Sequence, residues 1–222
     1  MAKSTYYMPR LFEFLRSLSM NNNREWFRGH KADYDELRSL WLADLQLMID
    51  RMAMWEPGVA RFSASQCAYR IYRDTRFSQD KTPYKVYFSA AVSPYGRHIE
   101  RAGYYLQLDI RPGESGLYAG IWHPESATLK KLRHAVVDNI EEFEEVVSAI
   151  EDARWCGDRL KGAPQGWAKD HPQLEYLRMK DYGKWFQLDE AFFCDPHWHE
   201  KAADMFRRLK PFVDFLNYSI EE

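Results

Sequence analysis

The order of apolar and polar positions divides this chain into helical ends around a stranded middle. Over residues 9–19, Leu11, Phe12, Phe14, Leu15 and Leu18 recur at helical spacing and predict a short amphipathic helix. Asn21, Asn22 and Asn23 interrupt it. Asn22 with Glu25 three residues on fits a capping box, so a second helix is expected from about Arg24 to Met54. Its stripe is Phe27, Tyr34, Leu37, Trp41, Leu45, Met48 and Met52, and Pro57-Gly58 ends it. The period then falls to two, which predicts strands near 67–73, 86–92 and 104–110, and a fourth strand is expected near 117–122. In the third of these, Tyr104, Leu106, Leu108 and Ile110 share one face. The turn from Arg111 to Gly116 joins it to the fourth as an antiparallel hairpin.

Helical period returns after Pro124 with Leu129, Leu132, Val136 and Ile140, and again with Phe143, Val146, Val147 and Ile150. Residues 154–190 read as loops with short elements. Asp195-Pro196 supplies a cap and first-turn proline for a last helix near 196–216, with Trp198, Ala202, Met205, Leu209, Phe212 and Leu216 on one side and Pro211 near its end. Helices at both ends of a run of strands imply an α+β fold with an antiparallel sheet. There is no repeat and no Pro/Gly/Ser linker, so residues 1–222 are expected to form one domain.

Composition narrows the function classes. The formal net charge of −2 gives no global field toward DNA or an anionic membrane, so any nucleic-acid role must rest on a local patch. Three widely spaced cysteines (Cys67, Cys156, Cys194) show no CxxC pairing and read as reduced thiols. Neither a signal-peptide pattern nor a membrane-length apolar run occurs, so the expected location is cytoplasmic. No cofactor is expected. A metal site at Cys194, His197, His199 and Glu200 is disfavoured, because the two histidines stand two apart on a predicted helix whereas zinc on a helix uses i and i+4.

The local patch is Arg70 to Lys85, sixteen residues with five positive charges and two carboxylates. Arg70, Arg73 and Arg76 recur every third residue, and Lys81 and Lys85 follow. So many cations need an offset, either internal carboxylates such as Asp74, Asp80, Asp33 or Asp109, or an external anion. Arginine suits bidentate recognition of phosphate or carboxylate, and Tyr72 and Tyr84 add hydroxyl donors or stacking surface. Arg24 and Lys31, on the first turns of the long helix, offer a second wall to the same pocket. For acid–base chemistry the candidates are His123, at a strand end with Glu125 or Asp109 as partner, and Asp74. No GxSxG, phosphate-binding glycine loop or GxGxxG is present.

Four segments carry a resemblance. They are Asn22-Asn-Arg-Glu-Trp-Phe27 with His30-Lys31 and Tyr34; the basic motif itself; Gly103-Tyr-Tyr-Leu-Gln-Leu108 with Gly116-Leu-Tyr-Ala-Gly120; and Leu160-Lys-Gly-Ala-Pro-Gln-Gly166 with Asp170-His-Pro172. Over nearly its whole length the chain resembles the bacterial and fungal family called domain of unknown function 2461. The resemblance implies a single-domain protein and brings no activity, cofactor or catalytic residue. Three readings follow. One is a small-ligand oxyanion site, open to an enzymatic role. Another is a nucleic-acid module using the same residues. The third is an interaction or scaffold domain whose arginines are internally paired.

Overall fold

The computed structural model describes residues 6–97 and 100–221. The first five residues, where the sequence shows no signal-peptide pattern, lie outside them. Helix α1 (Met8–Met20) buries Met8, Leu11, Phe12, Phe14, Leu15 and Leu18. The expected long helix is two helices, α2 (Arg24–Gly29) and α3 (Lys31–Ala53). The break falls where Gly29 weakens helix propensity and His30 leaves the helical region, with φ −112° and ψ 16°. His30 stabilises the break. Its ring stacks on Trp26 with centroids 3.9 Å apart, and its Nδ1–H donates to the Trp26 carbonyl at 2.8 Å. The predicted stripe is buried throughout, from Phe27 on α2 through Tyr34 to Met52 on α3.

The cap also differs from expectation. Asn23 caps α2, its side chain accepting from the Trp26 amide at 2.9 Å. Asn22 reaches instead to a distant backbone. Its Nδ2–H donates to the Tyr84 carbonyl at 2.9 Å, and its Oδ1 accepts from the Tyr84 amide at 3.1 Å.

After a 3-10 turn at Pro57–Arg61 and the single-turn α4 (Ala64–Cys67), the chain enters the sheet. Its strands are β1 (Tyr87–Val92), β2 (Gly103–Asp109), β3 (Gly116–Ile121), β4 (Arg154–Cys156) and β5 (Tyr182–Gln187). The order is β1-β2-β3-β5-β4 and every pairing is antiparallel. The hairpin turn between β2 and β3 holds a buried carboxylate: Asp109 accepts from the Arg111 amide at 2.8 Å and pairs with the Arg111 guanidinium.

Residues 67–73 are not a regular strand. They make only isolated pairings, Ala68 with Ala90 and Tyr72 with Tyr84. The amides of Arg73 and Lys85 donate to the Pro83 and Ile71 carbonyls at 2.9 and 2.7 Å. The Tyr84 amide and carbonyl therefore point away from Tyr72, toward the side chain of Asn22. Pro83 has no amide to extend the ladder, so the pairing stays ragged.

Within residues 154–190, read as loops with short elements, two of those elements are strands of the sheet. β5 is internal to the sheet, between β3 and β4. Its sequence, Tyr-Gly-Lys-Trp-Phe-Gln, hides the alternation. Gly183 is required because the Tyr118 ring lies over it, and a Cβ there would meet the ring at 2.2 Å. Lys184 is buried opposite Ala119; its Nζ donates to the Ala153 carbonyl at 3.1 Å and sits 4.4 Å from the Trp155 ring centroid.

The remaining helices are α5 (Ser126–Asp138), α6 (Ile140–Ser148), α7 (Leu174–Leu177), α8 (Glu190–Cys194) and α9 (Trp198–Glu221). α9 contains Pro211 and lies against α3 and β3. The core forms where the α9 stripe, the α3 stripe and the face of β2 bearing Tyr104, Leu106 and Leu108 meet. Asp44 of α3 ties the first residues to the last helix, accepting from the hydroxyls of Tyr6 and Tyr7 and from Trp198 Nε1. The fold is α+β, as the sequence predicts. No helix among the described residues is long and apolar enough to cross a membrane.

Candidate functional site

The basic motif separates into three groups. The first knits residues 74–82 into an ordered loop. Arg73 Nη1 donates to Asp80, to the Thr82 hydroxyl and, at 3.2 Å, to the Thr82 carbonyl. Arg76 pairs with Asp74 at 2.7 Å, and Lys81 Nζ donates to the Thr75 carbonyl at 2.9 Å. Asp80 and Asp74 carboxyls are both lowered to about 2. The Thr82 amide is the first cause for Asp80 and the Arg76 side chain for Asp74. These arginines are offset internally. The carboxylates that offset them come from the motif itself, not from Asp33 or Asp109.

The second group lies beside Tyr69. Lys85 Nζ is 5.2 Å from the Tyr69 ring centroid and 5.5 Å from that of Tyr87, and the Arg97 guanidinium is 5.1 Å from the Tyr69 ring. Burial, then the neighbouring Arg70 and Arg97, lowers the Lys85 ammonium below its ordinary value.

The third group faces α2. Tyr72 and Tyr84 pair across the ragged ladder with ring centroids 5.4 Å apart. Tyr84 stacks on Phe27 of α2 at 4.0 Å, and Tyr72 meets Phe27 edge-on at 6.0 Å. With the Asn22 bonds, these contacts fasten the α1–α2 corner to the motif and leave a cleft of about 510 Å³ between them. One wall is Arg24, Phe27 and Arg28 of α2, with Lys31 at the start of α3. The other is Tyr72, Arg73, Thr75, Pro83 and Tyr84. No carboxylate lines it.

The charges in the cleft are not equally available. Arg73 is engaged by the loop, and Lys31 forms an exposed pair with Asp35. Arg24 and Arg28 have neither hydrogen bond nor ion pair among the described residues. Their i,i+4 spacing on α2 puts them on one face. Tyr84 is 6% exposed overall, and its hydroxyl, with no hydrogen bond among the described residues, is open to solvent. Burial and the nearby Tyr72 raise the Tyr84 phenol, while Arg24 and Arg28 oppose that rise.

Of the residues singled out in the sequence, the cleft thus brings together Arg24, Lys31, Tyr72, Arg73 and Tyr84. It leaves out Arg70, Arg76, Lys81 and Lys85. Arg28 was missed, although its spacing from Arg24 was the signal available. The second wall is built by side chains rather than by a helix end, because α2 has only six residues and Asn23 already accepts from its Trp26 amide.

Neither acid–base candidate lines the cleft, although Asp74 stands between Arg73 and Thr75, which do. Asp74 is committed to Arg76. His123 is an exposed residue in the left-handed region, φ 50°, whose amide donates to the buried Asp181 at 2.6 Å. Its Nδ1 is 3.8 Å from the same carboxylate, beyond hydrogen-bond distance. Neither Asp109 nor Glu125 is its partner: Asp109 holds Arg111, and the Glu125 amide donates to Glu100. His197 contacts Glu200 at 3.1 Å, and among the described residues no three His, Cys, Asp or Glu side chains gather as metal ligands.

The fold and its cleft define an α+β protein with an antiparallel sheet and a cationic, aromatic-walled groove beside its edge strand. The sequence profile of a family described as conserved hypothetical protein, domain of unknown function 2461, matches residues 10–215, and the chain belongs to that family. No curated protein and no solved structure matches it.

Proposed function

We infer that the cleft between α2 and the basic motif binds an oxyanion-bearing small molecule. The observation that supports this best is Tyr84. Its ring is nearly buried, while its hydroxyl is open to solvent, has no hydrogen-bond partner among the described residues and lies within electrostatic reach of two guanidiniums that are themselves unpaired. Arg24 and Arg28 are exposed and stand at i,i+4 on one helix face, where like charges repel modestly, and an anion between them relieves that repulsion. An oxyanion placed there accepts from Tyr84 and from both arginines, and these charge-assisted bonds are stronger than neutral ones. A concave cleft of this volume suits a small ligand better than a continuous polymer track.

The reading rests on Arg24, Arg28 and Tyr84, and gives Arg73 and Arg76 the task of ordering the loop. Inorganic phosphate should therefore raise the melting temperature of the parent protein, since a ligand bound only by the native state stabilises it by mass action. The Arg24→Gln, Arg28→Gln double variant should melt near the parent in the absence of phosphate and lose the protection. Arg76→Gln should keep it. Equal protection of the parent and the double variant sinks the reading.

A further inference from the structure

Two features of the cleft go beyond anion binding and specify what carries the anion. The first is charge. Arg24 and Arg28 are two cations with no opposing carboxylate in the lining. A single carboxylate leaves one of them unmatched, whereas a phosphomonoester near neutral pH carries between one and a half and two negative charges, roughly matching both. The second is a flat apolar surface beside the charge. Tyr72 lines the cleft, yet is 46% exposed. Its ring forms a T-shaped contact with Phe27 at 6.0 Å and is tilted against Tyr84 at 5.4 Å. Part of an aromatic residue anchored on two other rings is thus open to solvent next to the two arginines. Fixed aromatic rings of this kind stack planar bases without demanding a particular one.

Resting on the oxyanion reading above, we propose that the ligand is a mononucleotide. Its phosphate lies among Arg24, Arg28 and the Tyr84 hydroxyl, and its base stacks on Tyr72. The volume of about 510 Å³ accommodates one nucleotide. The lining offers one exposed ring, so a second stacked base has no platform, which separates this site from a single-strand binding groove.

Calorimetric titrations of the full chain with AMP, inorganic phosphate and adenosine at fixed ionic strength test the proposal. AMP should bind at least about tenfold more tightly than inorganic phosphate, the lower range of what one stacked base contributes. Tyr72→Leu should remove that advantage, read as the ratio of AMP to phosphate affinity within the same variant, and Tyr72→Phe should retain it. A melting curve establishes that each variant is folded; if Tyr72→Leu is not, Tyr72→Ser is used in its place. Equal affinity for AMP and phosphate overturns the nucleotide assignment and leaves the oxyanion reading standing. So does an AMP advantage that survives Tyr72→Leu, since the base then lies elsewhere. Phenyl phosphate binding as tightly as AMP also overturns it, in favour of simple aryl phosphates. Absence of binding by both AMP and phosphate overturns both readings together.

Discussion

Asn22 offers the sharpest test of how the cleft is held. Its side-chain amide makes two hydrogen bonds, at 2.9 and 3.1 Å, to the carbonyl and amide of Tyr84, sixty-two positions along the chain. It therefore does for Tyr84 what a neighbouring strand would do. Each such bond is worth about 1 kcal/mol net, and a polar group left dry costs about 1–3 kcal/mol. Tyr84 is buried, so water reaches the freed groups poorly, and Asn22→Ala should cost about 2–4 kcal/mol. The adjacent Asn23→Ala removes only a helix cap on an exposed turn and should cost about 1 kcal/mol. Asn22→Asp keeps the acceptor for the Tyr84 amide but sets an oxygen against the Tyr84 carbonyl. It should fall at least as far as Asn22→Ala. Urea denaturation followed by tryptophan fluorescence measures all three, with the slope m confirming that the unfolding reaction is unchanged. An Asn22→Ala protein as stable as Asn23→Ala would refute the claim that this amide fastens the two walls.

Three further outcomes are expected. Because the Asp80 and Asp74 carboxyls are lowered to about 2 from an ordinary 3.8, their contribution to loop order is complete above 3.8 and is lost as pH falls through 2. Acid-stable protease cleavage at Phe77, which is 95% exposed, should accelerate across that window in the parent, and an unchanged rate would contradict the role given to these carboxylates. Burial lowers the Lys184 ammonium below its ordinary 10.5, so the folded state binds its proton less well than the unfolded one. The parent should gain stability relative to Lys184→Met as pH rises toward 10.5; a difference that stays flat with pH would mean that the lysine is not strained by burial. His123→Gly should stabilise the fold by up to about 1 kcal/mol in thermal melts, since glycine adopts a φ of 50° without steric cost. A loss instead would show that the imidazole contributes something its backbone strain conceals.

The sequence by itself determined the elements whose side chains alternate between core and solvent. The stripes of α1, α3 and α9 and the faces of β2 are legible because burial imposes a period of 3.6 or 2 on the apolar positions, whereas β3, buried on both faces, is marked by the turn before it. It also determined the fold class, since helices at both ends of a hairpin-connected sheet leave few arrangements. Where a residue serves a neighbour rather than its own period, the pattern fails. β5 was obscured because Gly183 makes room for the Tyr118 ring and Lys184 is buried on the Ala153 carbonyl and the Trp155 ring. Which asparagine caps α2 was decided by Tyr84, a residue on another element that claims Asn22 for itself. The motif's charges were visible in the sequence, but their partners were not. A turn of loop brings Asp80 back to Arg73 and Asp74 to Arg76, whereas Arg24 and Arg28, unremarkable in order along the chain, are left facing Tyr84 with no carboxylate between them. Pairing of charges depends on distances of a few ångströms across elements, and only the packing of α2 against Tyr72 and Tyr84 fixes those distances.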